Sequence, residues 1–171
     1  MGRFASLVHT PKDREAFKVR YNIPPRVNIQ HCLLGEWHAL RLEGVVVIFM
    51  IALIEGGMQI PIGRVTREFL IAHRLYPTQC STNLFRILGS VDALNQKMGV
   101  NLSHHDVNWV YNCQYLKDTE FYVKIRVPSV KLISCLPEFD KGLDQDFLIV
   151  SGEWHDGLHY PMWDGRTGGV F

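Results

Sequence analysis

Only four cysteines occur in the 171 residues, Cys32, Cys80, Cys113 and Cys135, and no two are close neighbours in the chain. That spacing excludes a zinc knuckle or a paired redox motif, so they read as isolated thiols. An excess of one charge is missing too. The 18 Lys plus Arg face 17 Asp plus Glu, a net of +1, which argues against a strongly basic nucleic-acid binder or a polybasic membrane module. The strongest apolar run, Val45 to Ile54 between Glu43 and Glu55, spans as a helix only about half of a ~30 Å hydrocarbon layer. The apolar group Phe4 to Val8 is too brief for a signal-peptide core. These absences imply an intracellular chain with reduced thiols and no membrane partner, and they do not separate nucleus from cytoplasm.

What is present is enough to build a core. With 47% of residues apolar, the chain is globular in composition, and at this length it should bury roughly two-thirds of its unfolded surface without a disulfide, metal or cofactor. One domain is expected. Charge is balanced overall but not along the chain. Residues 1–30 hold six basic side chains against two acidic ones, whereas residues 136–171 hold two basic against seven acidic. A basic arm that touches phosphate would explain this; so would an extended, solvated N-terminus lying against the acidic end, which is the simpler reading.

Residues 1–40 show no sustained period, and Pro11, Pro24 and Pro25 interrupt any helix, so they are expected to form an irregular basic arm. Val45 to Ile54, closed by Gly56-Gly57, reads as a buried helix. Ile62, Val65, Phe69 and Ala72 mark an amphipathic second helix that Leu75-Tyr76-Pro77 ends. Ser81 or Thr82 caps a third, striped by Leu84, Ile87, Leu88, Val91, Leu94 and Met98 and stopped by Gly99. Ser103 with Asp106 opens a fourth ahead of Val107, Val110 and Tyr111. The period then becomes two at Phe121, Val123, Ile125 and Val127. Val130 to Ile133 is expected to pair back as a hairpin arm, and Phe147 to Val150 to add a strand. The result is an α+β fold, predominantly helical with about four helices, followed by a small antiparallel sheet of two to three strands. It occupies residues 41–155 and precedes a flexible tail over 156–171.

Few constellations carry chemistry. His104-His105-Asp106 offers imidazoles beside a carboxylate, but neighbours on a helix point about 100° apart, and the residues sit where a helix start wants polar groups. His155 and His159 are four apart with Asp156 between them, a metal-ligand spacing. Gly157 and Pro161 make that stretch a poor helix, and no third ligand accompanies the pair. The tetrapeptide at Gly35 recurs at Gly152 without matching flanks and reads as coincidence. No nucleophile elbow, catalytic cysteine signature or phosphate loop occurs, and the glycines of residues 165–169 read as tail. Arg64, Arg67, Arg74 and Arg86, with Tyr76 and Phe85 nearby, form a candidate nucleic-acid surface. A solvated helix face with an Arg64–Glu68 pair explains the same residues more simply.

The order of segments resembles a known family. Val45 to Ile54, Glu55-Gly56-Gly57-Met58-Gln59-Ile60-Pro61, Val65 to Leu70, Leu75-Tyr76-Pro77-Thr78-Gln79, Asn83 to Gly89, Asp140-Lys141-Gly142 and Phe147 to Trp154 are similar to the gypsy-type transposon domain of plants, a retrotransposon-derived class often labelled a transposase. The resemblance spans residues 44–155. Leu143 stands where such sequences usually have tryptophan, and the chain ends soon after Trp163, where family members continue into coiled-coil or low-complexity regions; both departures imply a truncated or degenerate copy. The resemblance implies a mobile-element product and brings no catalytic residues, and the acidic residues do not form a two-metal strand-transfer set. The expectation is therefore a non-enzymatic domain with no cofactor, associating with nucleic acid or with other element-encoded chains. The alternatives are a small metal-dependent enzyme using His155, Asp156 and His159, or a relic without selected function.

Overall fold

A computed structural model describes residues 2–33, 44–116, 120–134, 136 and 146–154. In chain order the elements are α1 (Pro11–Arg20), β1 (Val27–Leu33), β2 (Val45–Phe49), α2 (Met50–Ile54), α3 (Arg64–His73), α4 (Thr82–Met98), α5 (His104–Val110), β3 (Tyr111–Leu116), β4 (Glu120–Ile125) and β5 (Asp146–Gly152). Short 3-10 turns cover Ala5–Val8 and Pro77–Gln79. The architecture is α+β, with four helices of seven residues or more, one antiparallel sheet of three strands and another of two.

The three-stranded sheet has the order β1-β5-β2, so the last of the described strands lies between the first two. Val27 pairs with Gly152 and Leu33 with Asp146 on one side of β5, and Val45 pairs with Ser151 and Phe49 with Phe147 on the other. Trp154 closes this sheet. Its ring is buried, its indole N–H donates to the Gly44 carbonyl at 2.9 Å, and its own carbonyl accepts from Ile62 N–H. The exit of β5 is thereby tied both to the start of β2 and to the loop before α3.

Three expectations of local structure are corrected. Residues 1–40 are not an irregular arm where they are described. Thr10 and Asp13 form a capping box that starts α1, with Pro11 at the first helical position, where its missing N–H costs nothing. Phe4, Val8, Phe17, Val27, Ile29 and Cys32 are buried in the core. The run from Val45 to Ile54 is not one helix. Its β-branched half, Val45–Phe49, forms β2, and only Met50–Ile54 turns helical, in keeping with the preference of branched side chains for a pleated surface. Residues 130–133 do not pair back on β4 either; Tyr111–Leu116 does, with Tyr111 opposite Ile125.

The periodic segments form helices as their spacing requires, although Ala72, Leu94 and Met98, expected on the buried stripes, are exposed because the packed part of each face ends before them. On α4, Leu84, Phe85, Ile87, Leu88 and Val91 are buried, Ser81 caps the start by accepting from Leu84 N–H, and Gly99 ends the helix at φ 63°, in the left-handed region that favours glycine. α3 begins at Gly63, which has no capping side chain of its own. The cap comes from 27 residues away. The buried Asp92 carboxylate of α4 accepts from Val65 N–H at 2.8 Å, Thr66 N–H at 3.2 Å and the Thr66 hydroxyl at 2.9 Å. A β-carbon at Gly63 would stand 2.2 Å from that carboxylate, so the close approach requires glycine.

Candidate nucleic-acid interface

The four arginines proposed from sequence meet different fates. Arg64 donates to the Glu68 carboxylate, the Asn101 side chain and the Leu102 carbonyl, which fastens the start of α3 to the turn before α5. Arg86 donates to the Glu55 carbonyl at 2.9 Å, to Asn83 at 2.7 Å and to the Glu55 carboxylate, which fastens α4 to the end of α2. These two guanidiniums are spent on intramolecular bonds. Arg67 and Arg74 are not. Neither has a carboxylate within ion-pair distance among the described residues, and Arg74, the left-handed last residue of the α3 terminus, is exposed.

The end of α3 meets the end of α5 at Asn108. The Asn108 side-chain oxygen lies 3.0 Å from His73 Nε2 and accepts from the Cys113 thiol, while its carbonyl accepts from Arg126 Nε at 3.0 Å. Arg126 Nε also reaches the Tyr111 carbonyl, and the Arg126 backbone N–H donates to Val110. A guanidinium therefore sits on the free carbonyls at the C-terminus of α5, where the helix dipole favours a cation. Its two Nη groups make no hydrogen bond among the described residues. Next to Asn108 stands Trp109, which is 74% exposed. Lys124, opposite Asn112 in the β3–β4 register, is also exposed and without an ion pair among the described residues. Arg74, Trp109, Lys124 and Arg126 thus belong to three elements that join at one asparagine.

Trp109, Lys124 and Arg126 were not among the candidates read from sequence. A signal for the tryptophan existed, because the apolar stripe of α5 is Val107, Val110 and Tyr111, and it leaves position 109 off the buried side. The two cations sit one each at and just beyond the end of β4 and become neighbours of α5 only through the hairpin.

The His104-His105-Asp106 candidate resolves as structure. His104 lies 3.5 Å from Glu68 and its ring centroid 4.0 Å from that of His105, while Asp106 is taken up by the Ser103 N–H and hydroxyl at 2.8 and 2.9 Å. No group of three or more metal-ligating side chains converges among the described residues. His155, Asp156 and His159 lie outside the described residues, as do Cys135 and the tetrapeptide at Gly35. Burial pushes the Cys113 thiol up to about 11, which keeps it protonated at neutral pH. Cys32 and Cys80 are buried.

One buried acid–imidazole pair was not foreseen. Asp146, fully buried at the start of β5, accepts from His31 Nε2 at 2.9 Å and from the Phe4 backbone N–H. Among the described residues, no serine, threonine or cysteine hydrogen-bonds to His31. The pair's visible work is to hold the N-terminal segment to the sheet. No helix among the described residues is long and apolar enough to cross a membrane. No family model matches the chain, and neither a curated protein nor a solved structure matches it.

Proposed function

We propose that this chain is a non-enzymatic domain of the plant gypsy-type, retrotransposon-derived class, and that it associates weakly with nucleic acid. The observation that carries the binding half is a set of cations without an ion pair among the described residues, of which Arg126 is held to α5 through Nε alone. Arg64 and Arg86 are bound internally, whereas Arg67, Arg74, Lys124 and Arg126 are not ion-paired among the described residues. Unpaired cations on a nearly neutral protein suit a few phosphate contacts rather than a deep electrostatic groove. The class assignment is supported by the ordered segments quoted for the resemblance. Those that are described supply turns and core, such as Gly56-Gly57, Phe69, Leu88 and Trp154, so selection for packing accounts for them and no catalytic demand is needed. Assembly with other element-encoded chains is a second reading, favoured by Met98 and Val100, which are apolar and exposed where α4 ends.

The test is a mobility shift with DNA and with RNA over a range of salt. Binding is expected at low ionic strength, and replacing Arg67 and Arg74 together by Ala should reduce the slope of log K against log salt by between about 1.4 and 1.8. Arg64→Ala should instead lower the unfolding midpoint and leave the slope alone. Absence of any complex at the lowest salt would defeat the nucleic-acid reading. Metal analysis addresses the enzyme alternative: stoichiometric zinc or manganese that disappears in the His155→Ala, His159→Ala protein would favour it.

A further inference from the structure

A tryptophan with three-quarters of its surface in water is unusual, because a ring of that size is ordinarily the first side chain a core takes up. Trp109 is not excluded from the core by accident of a loop. It lies within α5, whose buried side is Val107 and Val110, and its backbone is pinned on both sides. The Asn108 carbonyl holds Arg126, and the Val110 carbonyl holds the Arg126 N–H. The ring is therefore presented from a rigid base.

Resting on the nucleic-acid reading above, we infer that Trp109 is a stacking platform for an unpaired base, and that Arg74, Lys124 and Arg126 meet the phosphates on either side of it, so that the ligand is a single strand. Three features carry this. The exposed aromatic lies in a helix whose end is joined through Asn108 to the end of α3, next to Arg74, and through Arg126 to the β3–β4 hairpin that carries Lys124, while Asp106, one turn before the tryptophan, is engaged by Ser103. Arg126 is held by Nε alone, which leaves both Nη groups to face a phosphate in the forked geometry that suits it. Duplex recognition fits poorly, since α5 has seven residues and so a length of only about 10 Å, and a paired base inside a helix offers no face to a side chain. With three cations, the salt slope on a single strand should be about −2.

The test measures fluorescence anisotropy of a short labelled oligothymidylate and of the same strand in a duplex, with the full chain. The single strand should bind more tightly than the duplex. Trp109→Ala should weaken it ~5- to 150-fold, the range for loss of one stacked base. Trp109→Phe should retain most of the affinity, and both variants should keep the wild-type circular dichroism because the ring is outside the core. Equal affinity of wild type and Trp109→Ala, with loss only on changing Arg67 and Arg74, would overturn the stacking site and leave the broader reading standing. Preference for the duplex would overturn it as well. No binding of either ligand would remove both. Sedimentation supplies the remaining arm: a dimer that Trp109→Ala dissociates, with oligonucleotide affinity unchanged, would assign the ring to self-association and overturn the inference.

Discussion

Asp92 and Asp146 show how much can depend on single carboxylates in a protein whose net charge is +1. Each is buried, and each is satisfied by donors far away in sequence, Val65 and Thr66 for one, Phe4 and His31 for the other. A buried acceptor of this kind is valuable chiefly because the donors it serves have no water to turn to. Replacing Asp92 by Ala should strand the Val65 and Thr66 N–H groups and cost about 2–4 kcal/mol, read as a lower urea midpoint. Asp92→Asn keeps one carbonyl acceptor and should cost less. Neither residue is conspicuous in the sequence. Asp92 interrupts the apolar stripe of α4 as an ordinary polar position, and its meaning appears only when Gly63 is placed beside it.

At the scale of elements, local rules determine the ends of the helices. The capping boxes Thr10–Asp13 and Ser103–Asp106 join a hydroxyl residue to an acid three positions on, within one turn of chain. In both acids the pKa falls below the ordinary 3.8. For Asp13 the main cause is the Thr10 hydroxyl, and for Asp106 it is the Ser103 backbone N–H. A carboxyl whose folded pKa is depressed adds stability above its unfolded value and loses it as pH falls through the folded one. The unfolding midpoint should therefore decline with acidification below about pH 4, and the decline should be shallower in Asp106→Asn, followed by thermal melts across that range. Helices α3, α4 and α5 were legible from spacing because their faces alternate between core and solvent within the helix itself. β2 was misread because a run of apolar residues has no period, and only the β-branched half betrays a strand. α1 is hidden in the sequence because Pro11 reads as a helix breaker, whereas in the fold it occupies the first turn.

For the whole molecule, the position of β5 matters most. Residues 146–152 fill the centre of a sheet whose other members lie within residues 27–49, so neither edge pairing can form before residues 146–152 are present. Leu148, fully buried and opposite both His31 and Ile48, should when changed to Ala cost about 2–5 kcal/mol. Hydrogen exchange should then rise in β1 and β2 together, since both depend on the same strand. The uneven charge of the two chain ends is partly answered here, because Arg26 pairs with Glu153 at 3.0 Å. Both side chains are largely in water, and such a pair contributes at most ~1 kcal/mol; strand pairing and apolar burial join the ends, and charge follows.

The α+β class, the extents of α3 and α4, the capped start of α5 and the existence of strands near Phe121 and Phe147 are written in the local sequence, because each rests on contacts between residues a few positions apart. Only the packing of distant segments shows that the N-terminal segment is core, that β5 is central in its sheet, that Arg64 and Arg86 are consumed while Arg74 is free of an ion pair among the described residues, and that Trp109 stands in water on the helix whose terminal carbonyls Arg126 holds. Those outcomes turn on which distant groups share a volume from which water is excluded. Neither period nor propensity records that, because both describe the chain's relation to itself over a single turn or a pair of residues.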